Sequence, residues 1–108
     1  MSAENVLLRL SETLASRRNA DPATSYTAKL FAKGPDSILK KIGEECAELI
    51  MAAKDGKRQD IVYESADVLY HVLALLAFYG IGAEELLNEL QRREGTSGIA
   101  EKNSRTAK

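Results

Sequence analysis

Ile61-Val62-Tyr63-Glu64-Ser65-Ala66-Asp67-Val68-Leu69-Tyr70-His71-Val72-Leu73-Ala74-Leu75-Leu76-Ala77-Phe78-Tyr79 is the stretch that decides the fold of this 108-residue chain. Its only formally charged residues are Glu64 and Asp67. Wound as an α-helix at about 100° per residue, it carries apolar side chains on every side, with Val62, Leu69 and Leu73 on one and Val68, Leu75 and Phe78 on another. A helix that is apolar all round is a buried helix. Glu64, Asp67 and His71 project onto the same face as Leu75 and Phe78, so the two acids point inward. A chain of 11.8 kDa can hardly surround such a helix alone. The expected solution is an all-α helical bundle of four to five helices per chain, completed by homodimerisation.

A second acidic group precedes this helix. Glu44, Glu45 and Glu48 lie in a segment expected to be helical over about residues 35–54, where three- and four-residue spacings share a face. Alone they read as a solvated face, with Lys41 pairing to Glu45 at i, i+4. Beside two inward acids that have no lysine or arginine near them on their own helix, they read as half of a cation site. Four or five carboxylates meeting across one helix contact cannot stay ionised unless cations neutralise them. Hard oxygen ligands suit Mg²⁺, which keeps waters and recruits substrate phosphates. His71, one turn after Asp67, fits either a bond to a ligand or substrate, or a satisfied buried histidine. Cys46 lies on the apolar stripe Ile38, Ile42, Cys46, Leu49, Ala53 and reads as a small core residue, while Tyr63 and Tyr70 read as packing at the subunit contact.

Outward from these two segments the chain reads as helices throughout. Val6, Leu7, Leu10 and Leu14 give a first helix over about 5–18, broken by Asn19-Ala20-Asp21-Pro22. A shorter helix spans about 25–33, with Gly34 as its stop and Pro35 opening the next. Asp55-Gly56-Lys57 is a turn, the apolar helix covers about 59–79 up to Gly80, and a last helix runs over about 83–93 before Gly95. The helical core is thus expected over 1–95 of a single domain, and 96–108 as a polar, flexible tail that orders only against something else.

Composition bounds the partners. A formal net charge of -1 offers no basic footprint for nucleic acid. No uninterrupted apolar run reaches the roughly 20 residues of a bilayer span, and Met1-Ser2-Ala3-Glu4-Asn5 has no signal-type character, so neither membrane insertion nor secretion is expected. One cysteine, Cys46, rules out an internal disulfide and agrees with a cytoplasmic location. One Cys and one His also make a zinc site of the usual ligand set improbable.

Glu44-Glu45-Cys46-Ala47-Glu48 followed by Glu64-Ser65-Ala66-Asp67 resembles the EExxE…ExxD pattern of the all-α, MazG-like nucleotide pyrophosphohydrolase superfamily. Within it the chain is similar to the phosphoribosyl-ATP pyrophosphohydrolases of histidine biosynthesis. Ser25-Tyr26-Thr27-Ala28-Lys29-Leu30, Gly34-Pro35, Lys40-Lys41-Ile42-Gly43-Glu44-Glu45, Ala66-Asp67-Val68-Leu69-Tyr70-His71 and Gly98-Ile99-Ala100-Glu101-Lys102-Asn103-Ser104-Arg105 carry that likeness over most of the chain. The acidic motif specifies only the superfamily, and the flanking segments select this member.

The resemblance implies hydrolysis of 1-(5-phosphoribosyl)-ATP to 1-(5-phosphoribosyl)-AMP and pyrophosphate, with water attacking at the α,β-phosphoanhydride. By motif position Glu45, Glu48, Glu64 and Asp67 would be Mg²⁺ ligands, and Glu44 would support them or orient the water. Four carboxylates plus a triphosphate favour more than one ion. Lys40 and Lys41 are candidate phosphate contacts, with Lys102, Asn103 and Arg105 as candidates for the second phosphate-bearing group. Relatives fused to a phosphoribosyl-AMP cyclohydrolase carry a zinc-dependent half, which this chain lacks, so one step is expected. A house-cleaning nucleoside triphosphate pyrophosphohydrolase of the same superfamily and a non-catalytic dimerisation module are the alternatives.

Overall fold

In the computed structural model, which describes residues 3–95 and 97–106, six α-helices follow one another with no strand among the described residues. They are α1 (Val6–Ser16), α2 (Tyr26–Lys33), α3 (Pro35–Asp55), α4 (Arg58–Phe78), α5 (Ala83–Arg93) and α6 (Gly98–Thr106). Short 3₁₀ turns, Ala3–Asn5 and Arg17–Asn19, flank α1. Each boundary has a local cause. Asp21 folds the loop before α2, its Oδ1 accepting from the Ala23 N–H at 3.0 Å. Ser25 then caps α2 by accepting from the Ala28 N–H at 3.1 Å. Gly34, at φ 90, takes a backbone that L side chains avoid, and Pro35 starts α3 immediately after it.

The α3–α4 hairpin is the frame. Gly56, at φ 74, closes α3 in the left-handed region, its N–H reaching the carbonyls of Ala52 and Ala53 at 3.0 and 3.1 Å. Only Lys57 separates it from α4, so the two 21-residue helices run antiparallel along each other. The core gathers around the far half of this hairpin. Leu14, Ile38 and Leu73 are fully buried there, joined by Leu30, Phe31, Ala74, Ala77 and Ala83. Phe31 and Phe78 meet with ring centroids 6.1 Å apart. α1 lies across α4, α2 packs on α3, and α5 is tied to α1 where Ser11 Oγ accepts from the buried Ala83 N–H at 2.9 Å.

Several expectations shift. The expected stripe on α3 holds at Ile38, but Ala53 is exposed and Ala52 buried, because α4 packs on an arc that also takes in Glu45. α4 is buried only over its C-terminal half, leaving Val62, Tyr63 and Leu69 exposed. Its 21 residues are long and apolar enough for a membrane span by length and composition, which counting uninterrupted apolar residues overlooked. Glu64 and Asp67 sit inside that span and face acids of α3, the arrangement of a core helix in a bundle. Tyr70 packs within its own chain, its hydroxyl 2.7 Å from Thr27 Oγ1, while Tyr63 stays on the surface. Most of the expected tail is helical as α6, started by Ser97 Oγ accepting from the Ala100 N–H at 3.0 Å; positions 96, 107 and 108 lie outside the described residues.

The Ser11–Ala83 bond makes a stability prediction. Ser11→Ala strands a buried N–H at the start of α5, which costs about 1–3 kcal/mol. For a domain this size that is a melting-point fall of roughly 4–8 °C per kcal/mol. Ser16, whose hydroxyl donates to the Thr13 carbonyl on the exposed side of α1, serves as control: Ser16→Ala should leave the melting curve nearly unmoved.

Candidate metal centre and its surroundings

The hairpin register assembles the site. Glu48 and Glu64 stand eight residues either side of Gly56, and Glu45 and Asp67 stand eleven. In an antiparallel pair with a minimal turn, equal distances from the turn mean equal heights, and the three-residue spacing within each pair keeps its members on one face. One carboxylate oxygen from each of Glu45, Glu48, Glu64 and Asp67 accordingly lies within 4.8 Å of the others. These are the four residues expected as ligands. Glu44 is outside the cluster, half-exposed, with its carboxylate 3.8 Å from Lys41 Nζ.

Burial makes the cluster an electrostatic problem. Glu45 is 6% exposed, and Oε2 of both Glu45 and Glu64 is buried with no hydrogen-bond partner. An anionic oxygen withdrawn from water without a donor costs several kcal/mol. Among the described residues the cation paired with the cluster is Lys41, which reaches Glu45 Oε1 at 3.4 Å and leaves the inward oxygen untouched. Burial works against the charge of Lys41, yet Tyr26, the hydrogen bond to Glu45 and the charges of Glu45 and Glu44 outweigh it and hold the ammonium above its ordinary range. The donor set, all carboxylate oxygen, is the hard set that Mg²⁺ takes. At about 2.0–2.1 Å per Mg–O bond, two ligands of one ion stand no more than about 4.2 Å apart. A 4.8 Å spread therefore matches one ion after a small contraction, or two ions as they stand.

His71 supports the cluster from behind. Its ring is 4% exposed, with Nδ1 2.8 Å from the Asp67 carbonyl oxygen and Nε2 2.8 Å from the Tyr26 hydroxyl. A carbonyl can only accept, so Nδ1 carries the proton, and in the neutral ring Nε2 accepts from the Tyr26 O–H. Burial, then Tyr70, Glu45 and Asp67, push the Tyr26 phenol up against the opposing pull of Lys41, so it remains a neutral donor. Both nitrogens of His71 are thus engaged inside the protein, and the residue anchors the backbone of Asp67 to α2.

Two depressions flank Tyr26. One, of about 590 Å³, is open and lined by Pro22, Ala23, Thr24, Ser25, Tyr26 and Lys29. The other, of about 180 Å³, brings Lys29 and Lys33 of α2 to Lys41. Lys40, expected beside Lys41 at the phosphates, is exposed and lines neither. Lys102, Asn103 and Arg105 are exposed on α6, which has no extensive packing against the helices that carry the acids. Tyr26 and Lys29 enter the sequence reading only within the segment that carries the resemblance, and neither they nor Lys33 are given a role there. Their spacing, a face of α2 at i, i+3 and i+7, was the available signal.

The profile of the phosphoribosyl-ATP pyrophosphohydrolase family matches residues 7–94. The chain is 72% identical over 108 residues, all of both proteins, to a phosphoribosyl-ATP pyrophosphatase of Dechloromonas aromatica. It is 52% identical to one of Nitrosomonas eutropha over 97% of this chain and 90% of that protein. A histidine biosynthesis bifunctional protein HisIE of Wolinella succinogenes is 59% identical over 93% of this chain and 44% of its own length.

The orphaned oxygens predict how cation and fold are coupled. Glu64→Gln removes one charge at nearly constant shape, so in chelator the variant should melt no lower than the parent. Mg²⁺ at about 100 times its dissociation constant adds about 2.7 kcal/mol to a fold that binds it. Glu64→Gln should lose most of that Mg²⁺-dependent rise. A variant that melts well below the parent without metal and keeps the full Mg²⁺ response would make Glu64 structural.

Proposed function

The chain belongs to the phosphoribosyl-ATP pyrophosphohydrolase family, and on that premise we propose that its four-carboxylate cluster is the Mg²⁺ centre at which phosphoribosyl-ATP is cut. The reaction is hydrolysis of 1-(5-phosphoribosyl)-ATP to 1-(5-phosphoribosyl)-AMP and pyrophosphate, a step of histidine biosynthesis. The observation that carries the site assignment is the pair of buried, unpartnered oxygens of Glu45 and Glu64 within a set of four converging carboxylates.

In this reading Glu45, Glu48, Glu64 and Asp67 hold Mg²⁺, which when bound lowers the pKa of water and neutralises phosphate charge. The chain's own contribution is position. α3 and α4 hold the four carboxylates rigidly, so little reorganisation is needed as charge develops. His71 and Tyr26 keep Asp67 in place through its backbone. Glu44, exposed at the cluster's edge beside Lys41, is suited to accept a proton from the attacking water. Lys41 is suited to meet phosphate oxygens. Lys102, Asn103 and Arg105 of α6 are proposed to close on the substrate's phosphoribosyl end, which the loose packing of that helix favours.

Pyrophosphate release from phosphoribosyl-ATP with Mg²⁺ tests the reading. Glu48→Gln should cut turnover by more than the roughly 10- to 100-fold expected of outer-shell changes. A chain ending at Gly95 should keep its fold and show a raised KM. A panel of ordinary nucleoside triphosphates turned over faster than phosphoribosyl-ATP would overturn the substrate assignment.

A homodimer is part of the proposal. A compact chain of this length has a radius of gyration of about 13 Å and a surface of about 5,900 Å², whereas this one has 16.0 Å and 7806 Å². Leu39, Ile50 and Met51 of α3 and Val62, Tyr63 and Leu69 of α4 form exposed apolar stripes along one hairpin. A second copy on that face supplies the area of roughly 800 Å² per partner that stable interfaces bury and completes the core that the apolar circumference of α4 calls for. Sedimentation at micromolar concentration should give twice the chain mass; a stable, active monomer would sink this part.

A further inference from the structure

The smaller cavity beside Tyr26 has a chemistry that the acidic cluster lacks. Its volume of about 180 Å³ is room for roughly six waters, and its lining is Tyr26, Lys29, Leu30, Lys33, Ser37 and Lys41. Three of these are cationic and none is acidic. Among the described residues the ammonium groups of Lys29 and Lys33 have no carboxylate partner. Like charges four apart on a helix repel, and Lys41 of α3 adds a third charge to the same space. Lys41 is compensated by Glu44 and Glu45, but among the described residues no carboxylate compensates Lys29 and Lys33, and an anion in the cavity would.

Two further features point to a phosphate. α3 opens at Pro35 after Gly34, with no side chain capping it, and Ser37 of its first turn lines the cavity. The partial positive charge of a 21-residue helix thus adds to the lysines. The cavity also shares a wall with the metal centre. Lys41 lines it and sits 3.4 Å from Glu45 Oε1, and Tyr26 lines it and bonds His71 at 2.8 Å. Whatever anion enters lies one contact beyond the carboxylates.

We propose that this cavity is the subsite for the pyrophosphate end of the substrate's triphosphate, with Lys29 and Lys33 holding the β- and γ-phosphates while the acidic cluster holds the anhydride being cut. The assignment rests on the reading of the cluster as the hydrolytic centre. The water oxygen bonds to the α-phosphorus and gives up a proton, for which Glu44 is the proposed acceptor, while the bond from that phosphorus to the bridging oxygen breaks and its electron pair leaves with pyrophosphate. The charge that arrives on the leaving group is the charge these lysines face. The monoester phosphate of the phosphoribosyl group hangs from the far side of the adenine ring and is too remote to reach a cavity adjoining the cleaved bond.

Lys29 and Lys33 are both exposed, so their substitution leaves the core intact. The full chain and its Lys29→Gln, Lys33→Gln and double variants are compared for KM, for inhibition by added pyrophosphate and by ribose 5-phosphate, and for melting temperature. Lys54→Gln, exposed at the other end of α3, measures the general effect of losing a positive charge. Each cavity substitution should weaken pyrophosphate inhibition about tenfold, the loss expected for one charge-assisted contact. The double variant should weaken it further, KM should rise in parallel, and Lys54→Gln and ribose 5-phosphate inhibition should stay near parental. Unchanged pyrophosphate inhibition in the double variant overturns the proposal, as does a loss confined to ribose 5-phosphate. Calorimetric binding of pyrophosphate in Mg²⁺ reads the subsite without turnover. Lysine-dependent binding by a parent that does not hydrolyse phosphoribosyl-ATP keeps the subsite and removes the activity; lysine-independent binding by an active parent does the reverse.

Discussion

A turn of two residues, Gly56 and Lys57, is the constraint on which the rest depends. With so short a connection α3 and α4 cannot slide along each other, and their residues pair by equal distance from Gly56. That pairing sets Glu48 against Glu64 and Glu45 against Asp67. The carboxylates repel one another, so the hairpin holds together because its other half is apolar. Ile38, Leu73, Ala74 and Ala77 are buried at the far end, and burying each large aliphatic side chain contributes about 1.5–3 kcal/mol. The chain divides one helix pair into a stabilising end and a functional middle.

The second layer of organisation is α2, an eight-residue helix that contributes to both the core and the site, with Leu30 touching each. Leu30 and Phe31 go into the core, while Tyr26 reaches His71 and Lys29 and Lys33 face outward. Its position is fixed by polar contacts as well as packing: the Ser25 cap, the Thr27–Tyr70 bond and the Tyr26–His71 bond all tie it to neighbours. Such a short helix is marginal by itself. Its geometry, and with it the position of the lysines, comes from those ties.

Helical periodicity was enough to bring Glu44, Glu45, Glu48, Glu64 and Asp67 toward one helix contact, and the resemblance of the motif narrowed these five to the four that converge. The bounds of α5 were read as found, and those of α2 to α4 to within a residue or so, because Gly34, Pro35, Gly56 and Gly80 punctuate them. What sequence could not supply was tertiary. The Tyr26–His71–Asp67 link joins positions 45 residues apart in the chain, and no periodicity reports it. Tyr70 shares a side of α4 with Tyr63, yet α2 covers one and not the other. The α6 helix escaped because its residues are polar and its one start signal is Ser97.

Equal spacing about Gly56 also constrains how such a chain can change length. An extra residue in the turn leaves the facing arcs of both helices intact, and the hairpin can absorb it by widening the loop. One extra residue between Glu45 and Glu48, or between Glu64 and Asp67, rotates everything beyond it by about 100° and throws one carboxylate out of the cluster. Insertions in this hairpin should therefore be tolerated at its tip and excluded within residues 45–48 and 64–67. A tip-lengthened variant is thus a natural starting point for grafting loops onto this scaffold.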